Sequence, residues 1–464
     1  MRLPCAALGR PTSSRNAIKF LGVTDPVDQS EKIITSSILN TQVSTNHLPM
    51  SGFNLQTAAR PNILSLHPYV CARDIYPATA GTILLDANEN AHGPSIPGAA
   101  TPSVVANGDS SNGVISSAEH LAELHRYPDP HQGAVKDLWC NLRNAPNAQT
   151  PGYKPLKPEN MFLGVGSDEA IDILMRVFCA PGREKILICP PTYGMYSVSA
   201  DVNDLGIVRV DLDTTDGKFA LRPDAVCEAL SADPSIKIVY LCTPGNPTAA
   251  DLDSDAIKQI LAHPTYNGVV VLDEAYIDFA PEGRSRAHWA NEYPNVVVMQ
   301  TLSKAFGLAG IRLGAAFTSP PIASLMNCMK APYNISSPTS ALAMQALSPE
   351  GLAIMRKHVA DLNAQRDYLA SKGFPSIPGV GRIIGGRDAN FLLVEVLDKP
   401  GGKPNNEVAV QVYEELAGNR NVVLRFRGKE LGCEGCIRVS IGTKEENEIL
   451  LKKFAEVLKI FQKA

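Results

Sequence analysis

Short apolar runs alternate with helical patterns along the middle of the chain. Five runs rich in Val, Ile and Leu predict buried strands: KILIC (185–189), IVRVDL (207–212), KIVYLC (237–242), VVVLDE (269–274) and NVVVM (295–299). Continuous apolar strands separated by helices are typical of a sheet that is largely parallel and covered on both faces. The pattern therefore predicts an α/β fold whose large domain, residues 119–345, is built on a mainly parallel mixed sheet.

The pattern changes near residue 346. A long helical pattern, EGLAIMRKHVADLNAQRDYLASKG, ends at Gly373. It is followed by NFLLVEV, the helix EVAVQVYEELAG, the strands VVLRF and CIRVSIG, and a final helix EENEILLKKFAEVLKIFQKA. Mixed short strands and helices of this kind predict a small α+β domain over residues 346–464.

Two stretches lack any periodic pattern. Residues 1–59 are poor in aromatic residues, and their first 24 residues contain basic side chains and no acidic one. We interpret this segment as a disordered extension, with Met50 as an alternative start; a mitochondrial or plastid transit peptide is the competing interpretation. Residues 93–118, with PSIPGAATPSVVANGDSSNG, predict a low-complexity surface insertion. Residues 60–92 are assigned to an N-terminal arm and part of the small domain.

Composition narrows the class of protein. With 44% hydrophobic residues, 19% charged residues and a net charge of -4, the chain has the composition of a globular protein and not of one that mainly binds nucleic acid. No apolar stretch reaches the roughly 18 residues expected of a membrane span, and a cytoplasmic location is predicted. Of ten cysteines, Cys433 and Cys436 form a CxxC. Since no second pair or histidine lies nearby, no metal site is predicted.

The segment TLSKAFGLAGIRLG, residues 301–314, contains the first candidate for chemistry. Lys304 follows the predicted strand NVVVM, and Arg312 lies eight residues further on. A surface lysine at a helix start is the structural alternative. A lysine beyond a buried parallel strand, however, lies at the carboxyl edge of the sheet, where open α/β folds bind their ligands.

Three other polar clusters fall at predicted strand ends or helix starts. In GVGSDEAIDILMRVF, Ser167 is predicted to be a helix N-cap whose neighbouring N–H groups can bind an anion. YLCTPGNPT contains Asn246, and VVVLDEAYIDF contains Asp273 and Tyr276. Each has a structural alternative, such as a cap for Asp273, and no second cluster supports a metal there.

Together these residues fit one cofactor, pyridoxal phosphate. It requires a lysine that bonds to its aldehyde, a carboxylate at its ring nitrogen and an anion site for its phosphate. Lys304 matches the lysine and Asp273 matches the carboxylate. The anion site is matched by Ser167 with Ser303 and Arg312.

Three further side chains are assigned to the cofactor ring. Asn246 and Tyr276 are expected to donate hydrogen bonds to the ring's 3-oxygen. Tyr193, in PPTYGMY, is expected to stack on the ring or to line the pocket.

The order of these motifs resembles that of a known family. GSDE, PPTYGMY, PGNPT, DEAY and SKAFGLAGIRLG resemble the fold-type-I aminotransferases. HPYVCARD, LDANEN, RYPDP, VVLRF and CIRVSIGT resemble the histidinol-phosphate aminotransferase branch, from about residue 61 onward. The extension and the insertion resemble features of fungal members. The resemblance implies a homodimer with shared active sites and a ping-pong transamination in histidine biosynthesis. The implied substrates are histidinol phosphate and 2-oxoglutarate, and the implied products are imidazole acetol phosphate and glutamate.

The resemblance also implies roles for residues that spacing alone does not assign. Tyr127, in RYPDP, is expected to reach the cofactor phosphate of the partner subunit, whereas the structural alternative is plain packing before a turn. Asp168 joins the cofactor-binding set. The implied substrate-binding residues are Tyr69, Asn88, Arg425 and Arg438. Of these, Arg438 matches the arginine that binds the substrate α-carboxylate, and Arg425 matches a second arginine for a substrate anion.

Other functions stay open at this point. A phosphothreonine decarboxylase or a broad amino-acid aminotransferase of the same fold would share every cofactor residue. A non-catalytic cofactor-binding regulator would carry a DNA-binding module, but residues 1–59 show no helix-turn-helix pattern. The presence of both Lys304 and Asp273 favours an enzyme.

Overall fold

The structure is a computed structural model that describes residues 52–59, 64, 124–420, 422 and 424–462. The predictions for most of the N-terminal extension, for the arm and for the insertion at 93–118 lie outside the described residues. So do the two predicted substrate-binding residues Tyr69 and Asn88.

The larger of the two sheets is mixed and has seven strands in the order β1-β7-β6-β5-β4-β2-β3. Its strands are β1 Met161–Val165, β2 Lys185–Ile188, β3 Gly206–Arg209, β4 Ile236–Cys242, β5 Val269–Asp273, β6 Val296–Thr301 and β7 Leu313–Thr318. Strands β2 to β6 are parallel to their neighbours in this group, and β7 is antiparallel to β6 and to β1. The predicted mainly parallel mixed sheet is confirmed.

Apolar side chains alternate between the two faces of this sheet. In β5, Val270 and Leu272 join one hydrophobic cluster, and Val269 and Val271 join the other. Because every second residue of a strand faces the same way, a run of Val and Leu supplies both clusters at once. This explains why the parallel strands are continuously apolar in sequence.

Helices cover the sheet and continue into the C-terminal part of the chain. They are α1 Leu55–Ala58, α2 Gly133–Asn144, α3 Gly166–Phe178, α4 Met195–Val202, α5 Pro223–Ala232, α6 Ser254–Leu261, α7 Pro320–Met329, α8 Ser337–Leu347, α9 Pro349–Tyr368, α10 Asn406–Asn419 and α11 Lys444–Phe461. A π-turn at Leu369–Gly373 follows α9, so the long helical pattern ends at Gly373 as predicted.

A second sheet has four antiparallel strands in the order β10-β11-β9-β8. They are β8 Val380–Ile384, β9 Phe391–Val396, β10 Arg425–Phe426 and β11 Cys436–Ser440. Side chains of β9 and β11 pack with those of α10 and α11 in a separate hydrophobic cluster. The α+β composition predicted for this part is therefore found, and the predicted domain boundaries themselves stay a prediction.

Three features of the described residues bear on the class of protein. No described helix is both long enough and apolar enough to cross a membrane. The two thiols of the CxxC, Cys433 and Cys436, are buried and free, and burial raises the pKa of Cys433 to about 12. No group of three potential metal ligands occurs in the described part of the chain.

Candidate active site

A cavity of about 440 Å³ opens at the carboxyl ends of β4, β5 and β6. It brings together eleven of the predicted site residues: Ser167, Asp168, Tyr193, Asn246, Asp273, Tyr276, Ser303, Lys304, Arg312, Arg425 and Arg438. It is also lined by residues that were not predicted: Cys242, Ala275, Thr301, Ala309 and Arg427. Most of the site residues predicted from the sequence therefore lie around one cavity.

Asp273 lies at the end of β5 and is buried. The Tyr196 hydroxyl donates to its Oδ2 at 2.7 Å, and the Ala275 N–H donates to its Oδ1 at 3.2 Å. Burial raises the pKa of the Asp273 carboxyl to about 6. A buried carboxylate that is charged near neutral pH is stabilised by a cation placed against it.

Tyr196 supports that carboxylate and was not predicted. It is fully buried on α4, and its ring stacks on Tyr240 with 4.6 Å between the ring centroids. The sequence offered one indication of this role. Tyr196 is the second tyrosine of PPTYGMY and follows Tyr193 by three residues, a spacing that places two side chains on one side of a helical turn.

The backbone behind Asp273 is fixed by the buried carboxylate of Glu274. Glu274 accepts hydrogen bonds from the Arg286 N–H at 2.7 Å, the Ser285 hydroxyl at 2.8 Å and the Gln300 side-chain amide at 2.9 Å. Because a buried charge is stabilised when it is fully hydrogen-bonded, this network holds the DEAY segment in one position. The next residue but one, Tyr276, thereby faces the cavity.

Lys304 follows β6 in a turn and does not begin a helix. Its Nζ lies 5.8 Å from the centroid of the Tyr276 ring. Burial, followed by the nearby Arg438 guanidinium, lowers the pKa of the Lys304 ammonium. A lysine with a lowered pKa supplies more of the neutral amine that nucleophilic and base chemistry require.

The start of α3 forms the opposite end of the cavity and corrects one prediction. The helix begins at Gly166, so Ser167 lies inside the first turn and is not the N-cap. The Glu169 carboxylate accepts from the Val165 N–H, and the Gly166 N–H donates to the Arg312 carbonyl at 3.0 Å. An added Cβ at Gly314 would lie 2.3 Å from the Ser167 nitrogen, so β7 packs directly against this turn.

Arg312 and Asp168 border the same helix start. Arg312 has a left-handed backbone with a φ of 54°, and its Nη2 lies 3.6 Å from Asp168 Oδ2. The Tyr193 hydroxyl donates to Asp168 Oδ1 at 3.2 Å. Ser303 donates its N–H to Thr301 Oγ1 at 3.1 Å. A guanidinium, a serine and a helix N-terminus together are well suited to an anion such as phosphate.

The arginine end of the cavity comes from the second sheet. Arg425 on β10 is directly opposite Arg438 on β11, as the adjacent predicted strands implied. Arg438 donates from Nη1 to Asn246 Oδ1 at 2.7 Å, and its guanidinium lies 5.3 Å from the centroid of the Phe391 ring. Since the Asn246 carbonyl oxygen is engaged by Arg438, its side-chain NH₂ is the group that can donate to a ligand.

Tyr127 does not line the cavity of its own chain. Its half-exposed ring stacks on Tyr333 with 4.6 Å between centroids and 18° between ring planes. The structure contains one chain, so the expected contribution of Tyr127 to a partner subunit stays a prediction.

Residues 81–454 match the family model of aminotransferase class I and II. The chain therefore belongs to the class I and II aminotransferase family, and the predicted fold class is confirmed. A histidinol-phosphate aminotransferase from Schizosaccharomyces pombe is 51% identical over 407 residues, which cover 88% of this chain and 98% of that protein. The Saccharomyces cerevisiae histidinol-phosphate aminotransferase is 44% identical, with the same coverage.

Within the family, the chain thus falls among the histidinol-phosphate aminotransferases, which confirms the resemblance seen in the sequence. Among solved structures, a histidinol-phosphate aminotransferase from Sinorhizobium meliloti in complex with pyridoxal-5'-phosphate has a similar fold. The TM-score is 0.62 at 21% identity, covering 73% of this chain and 84% of that one.

Proposed function

We propose that the chain transfers an amino group between histidinol phosphate and 2-oxoglutarate, with pyridoxal phosphate as cofactor. The products are imidazole acetol phosphate and glutamate. The observation that carries the proposal is the convergence of Lys304, Asp273, Arg425 and Arg438 on one cavity. The fungal relatives, which are named histidinol-phosphate aminotransferases at 44–51% identity, support this substrate.

The residues of the cavity fit the cofactor. The buried Asp273 carboxylate suits a protonated ring nitrogen, and the Lys304 amine suits the aldehyde carbon. The first turn of α3, with Ser303 and Arg312, suits the phosphate group. When bound, pyridoxal phosphate supplies an electron sink that stabilises the charge left when a bond at the substrate's α-carbon breaks.

Lys304 is the proton-transfer residue in this proposal. Its amine would remove the proton from the α-carbon of the amino donor and hold that proton at Nζ. Its lowered pKa favours the neutral amine that accepts this proton. Burial raises the pKa of the Tyr276 hydroxyl, which therefore remains protonated at neutral pH and can donate a hydrogen bond.

Arg425 and Arg438 bind the anions of both substrates. Histidinol phosphate carries its phosphate one CH₂–O unit beyond the reacting carbon, and glutamate carries a carboxylate directly on it. A guanidinium binds either group through two parallel hydrogen bonds. Tyr69 and Asn88 are proposed to border the same end. Tyr127 is proposed to complete the site of the partner subunit in a homodimer.

A panel of amino donors tests this proposal against its closest alternatives. The purified holoenzyme is assayed with 2-oxoglutarate and histidinol phosphate, histidine, phenylalanine or phosphothreonine, and release of CO₂ is measured for the last. We expect kcat/KM to be highest for histidinol phosphate by at least about tenfold. A preference for another donor, or CO₂ release from phosphothreonine, would contradict the proposal. Absence of turnover with every donor would favour a non-catalytic regulator.

A further inference from the structure

A third arginine, Arg427, lines the cavity beside the predicted pair. It lies two residues after Arg425, and Phe426 between them packs into the hydrophobic cluster of the second sheet. The Arg427 N–H donates to the Cys436 carbonyl at 2.8 Å, which extends the pairing of β10 with β11 by one position. Because alternate residues of a strand share a face, Arg425 and Arg427 both face the cavity.

The guanidinium of Arg427 is held in place but only partly hydrogen-bonded. Its Nη1 donates to Glu430 Oε1 at 2.8 Å, and its side chain is 24% exposed. Its Nε is buried and has no acceptor among the residues that the structure describes. The Nε of Arg438 is in the same situation. Buried N–H groups are nearly always paired in native proteins, so two unpaired donors on arginines that line one cavity indicate that these side chains complete their hydrogen bonds when an anion binds.

Charge at this end of the cavity supports the same conclusion. Arg425, Arg427 and Arg438 line this end of the cavity together, and Arg427 forms an ion pair with Glu430 at 2.8 Å. Burial lowers the pKa of Arg438, and Arg427 and Arg425 lower it further. Cations held close together are stabilised by an anionic ligand, and a ligand of higher negative charge stabilises them more.

The two substrates differ in that respect. A phosphate monoester carries a charge of about −1.5 to −2 near pH 7 and three acceptor oxygens. Glutamate carries two carboxylates at separate ends of the molecule, and each has one charge and two acceptor oxygens. At the end nearest the reacting carbon, the phosphate therefore offers a third arginine more charge and one more acceptor oxygen than the α-carboxylate does.

We infer that Arg427 binds the phosphate group of the phosphorylated amino donor and thereby favours that donor over glutamate. The inference rests on the proposed function. Glu430 is the positioning residue that holds the Arg427 guanidinium at the cavity through Nη1. The competing view is that Arg427 only stabilises the turn after β10, where the Glu430 N–H also bonds to the Arg427 carbonyl at 3.0 Å.

The experiment compares the two half-reactions in single-turnover measurements on holoenzyme. The variants are Arg427→Ala, the closer-sized Arg427→Gln and the charge-preserving Arg427→Lys. Arg420→Ala is the matched control, because Arg420 also donates from its guanidinium to a glutamate, Glu415, at 3.1 Å, but does not line the cavity. Thermal unfolding of each variant verifies that it is folded.

We expect Arg427→Ala and Arg427→Gln to lower kcat/KM for histidinol phosphate roughly 10- to 100-fold, the value of one or two charge-assisted hydrogen bonds. The glutamate half-reaction should change less than about threefold, because its α-carboxylate is held by the other two arginines. Arg427→Lys should restore part of the loss, and the control should alter neither reaction.

Equal losses in both half-reactions, or no loss with histidinol phosphate, would overturn the inference. Failure of the wild-type protein to use histidinol phosphate would refute the proposed function instead. In that case inorganic phosphate serves as the probe, through its competitive inhibition of the glutamate half-reaction. An inhibition constant that rises at least about tenfold in Arg427→Gln supports a phosphate site, and an unchanged constant overturns it.

Discussion

Replacing Asp273 with asparagine should change how the stability of the cofactor-free protein depends on pH. Burial raises the pKa of this carboxyl from 3.8 to about 6 in the folded chain. Between these values the folded protein keeps a proton that the unfolded chain has released. Since the unfolded state binds fewer protons there, the free energy of unfolding falls as the pH rises. The full loss is about 3 kcal/mol, at 1.36 kcal/mol per pKa unit, and slightly more than 1 kcal/mol of it lies between pH 5 and pH 7.

The measurement is urea-induced unfolding of cofactor-free wild-type protein and the Asp273→Asn variant at several values from pH 5 to pH 7.5. An asparagine does not titrate, so the difference between the two proteins isolates this carboxyl from all other groups. The wild-type protein should lose stability relative to the variant as the pH rises, and the difference should become constant above about pH 7. With pyridoxal phosphate bound, a cationic ring nitrogen beside the carboxylate should remove this slope. Parallel pH profiles for the two cofactor-free proteins would refute the reasoning.

Two further predictions address the helix start and the subunit interface. Gly314→Ala should weaken cofactor binding at least about tenfold, because the added Cβ would displace the first turn of α3. Titration of the cofactor-free protein with cofactor measures this. The control is Gly310→Ala, whose added Cβ meets no atom within 4 Å and which should bind the cofactor normally. Mixing Tyr127→Phe and Lys304→Ala subunits should restore activity if Tyr127 completes the partner's site, since one site of each mixed dimer then carries neither substitution. Mixed dimers no more active than their parents would contradict a role for Tyr127 in the partner's site.

Much of the cavity follows from the sequence because parallel strands end at one edge of a sheet. Asn246, Asp273 and Lys304 each follow a continuous apolar run, so their convergence was predictable once those runs were assigned to neighbouring parallel strands. The order of the strands was not predictable in this way. Strand β7 was missed because LGAAFT is rich in small residues of weak strand propensity, and β1, MFLGV, is a five-residue run that contains a glycine.

Other errors have local causes. Ser167 matches an N-cap in type, but the helix begins at Gly166 and its cap position is Val165, two residues before Ser167. Arg427 was overlooked because only Arg425 and Arg438 match the motifs of the resembling family. The alternation of RFR, with an apolar residue between two arginines, already placed Arg427 on the same face as Arg425. The two-residue periodicity of a strand would therefore have identified Arg427, which the comparison of motifs did not.

The most direct measurement of the central claim is the turnover of Lys304→Ala with histidinol phosphate and 2-oxoglutarate. Cofactor content is first verified by absorption, and Lys357→Ala serves as a control, because Lys357 forms an exposed ion pair with Asp361 at 2.8 Å. If Lys304 transfers the proton at the α-carbon, its loss should lower kcat by about 10²- to 10⁴-fold while the control keeps wild-type activity. Turnover of Lys304→Ala at the wild-type rate would contradict the assignment of this cavity as the active site.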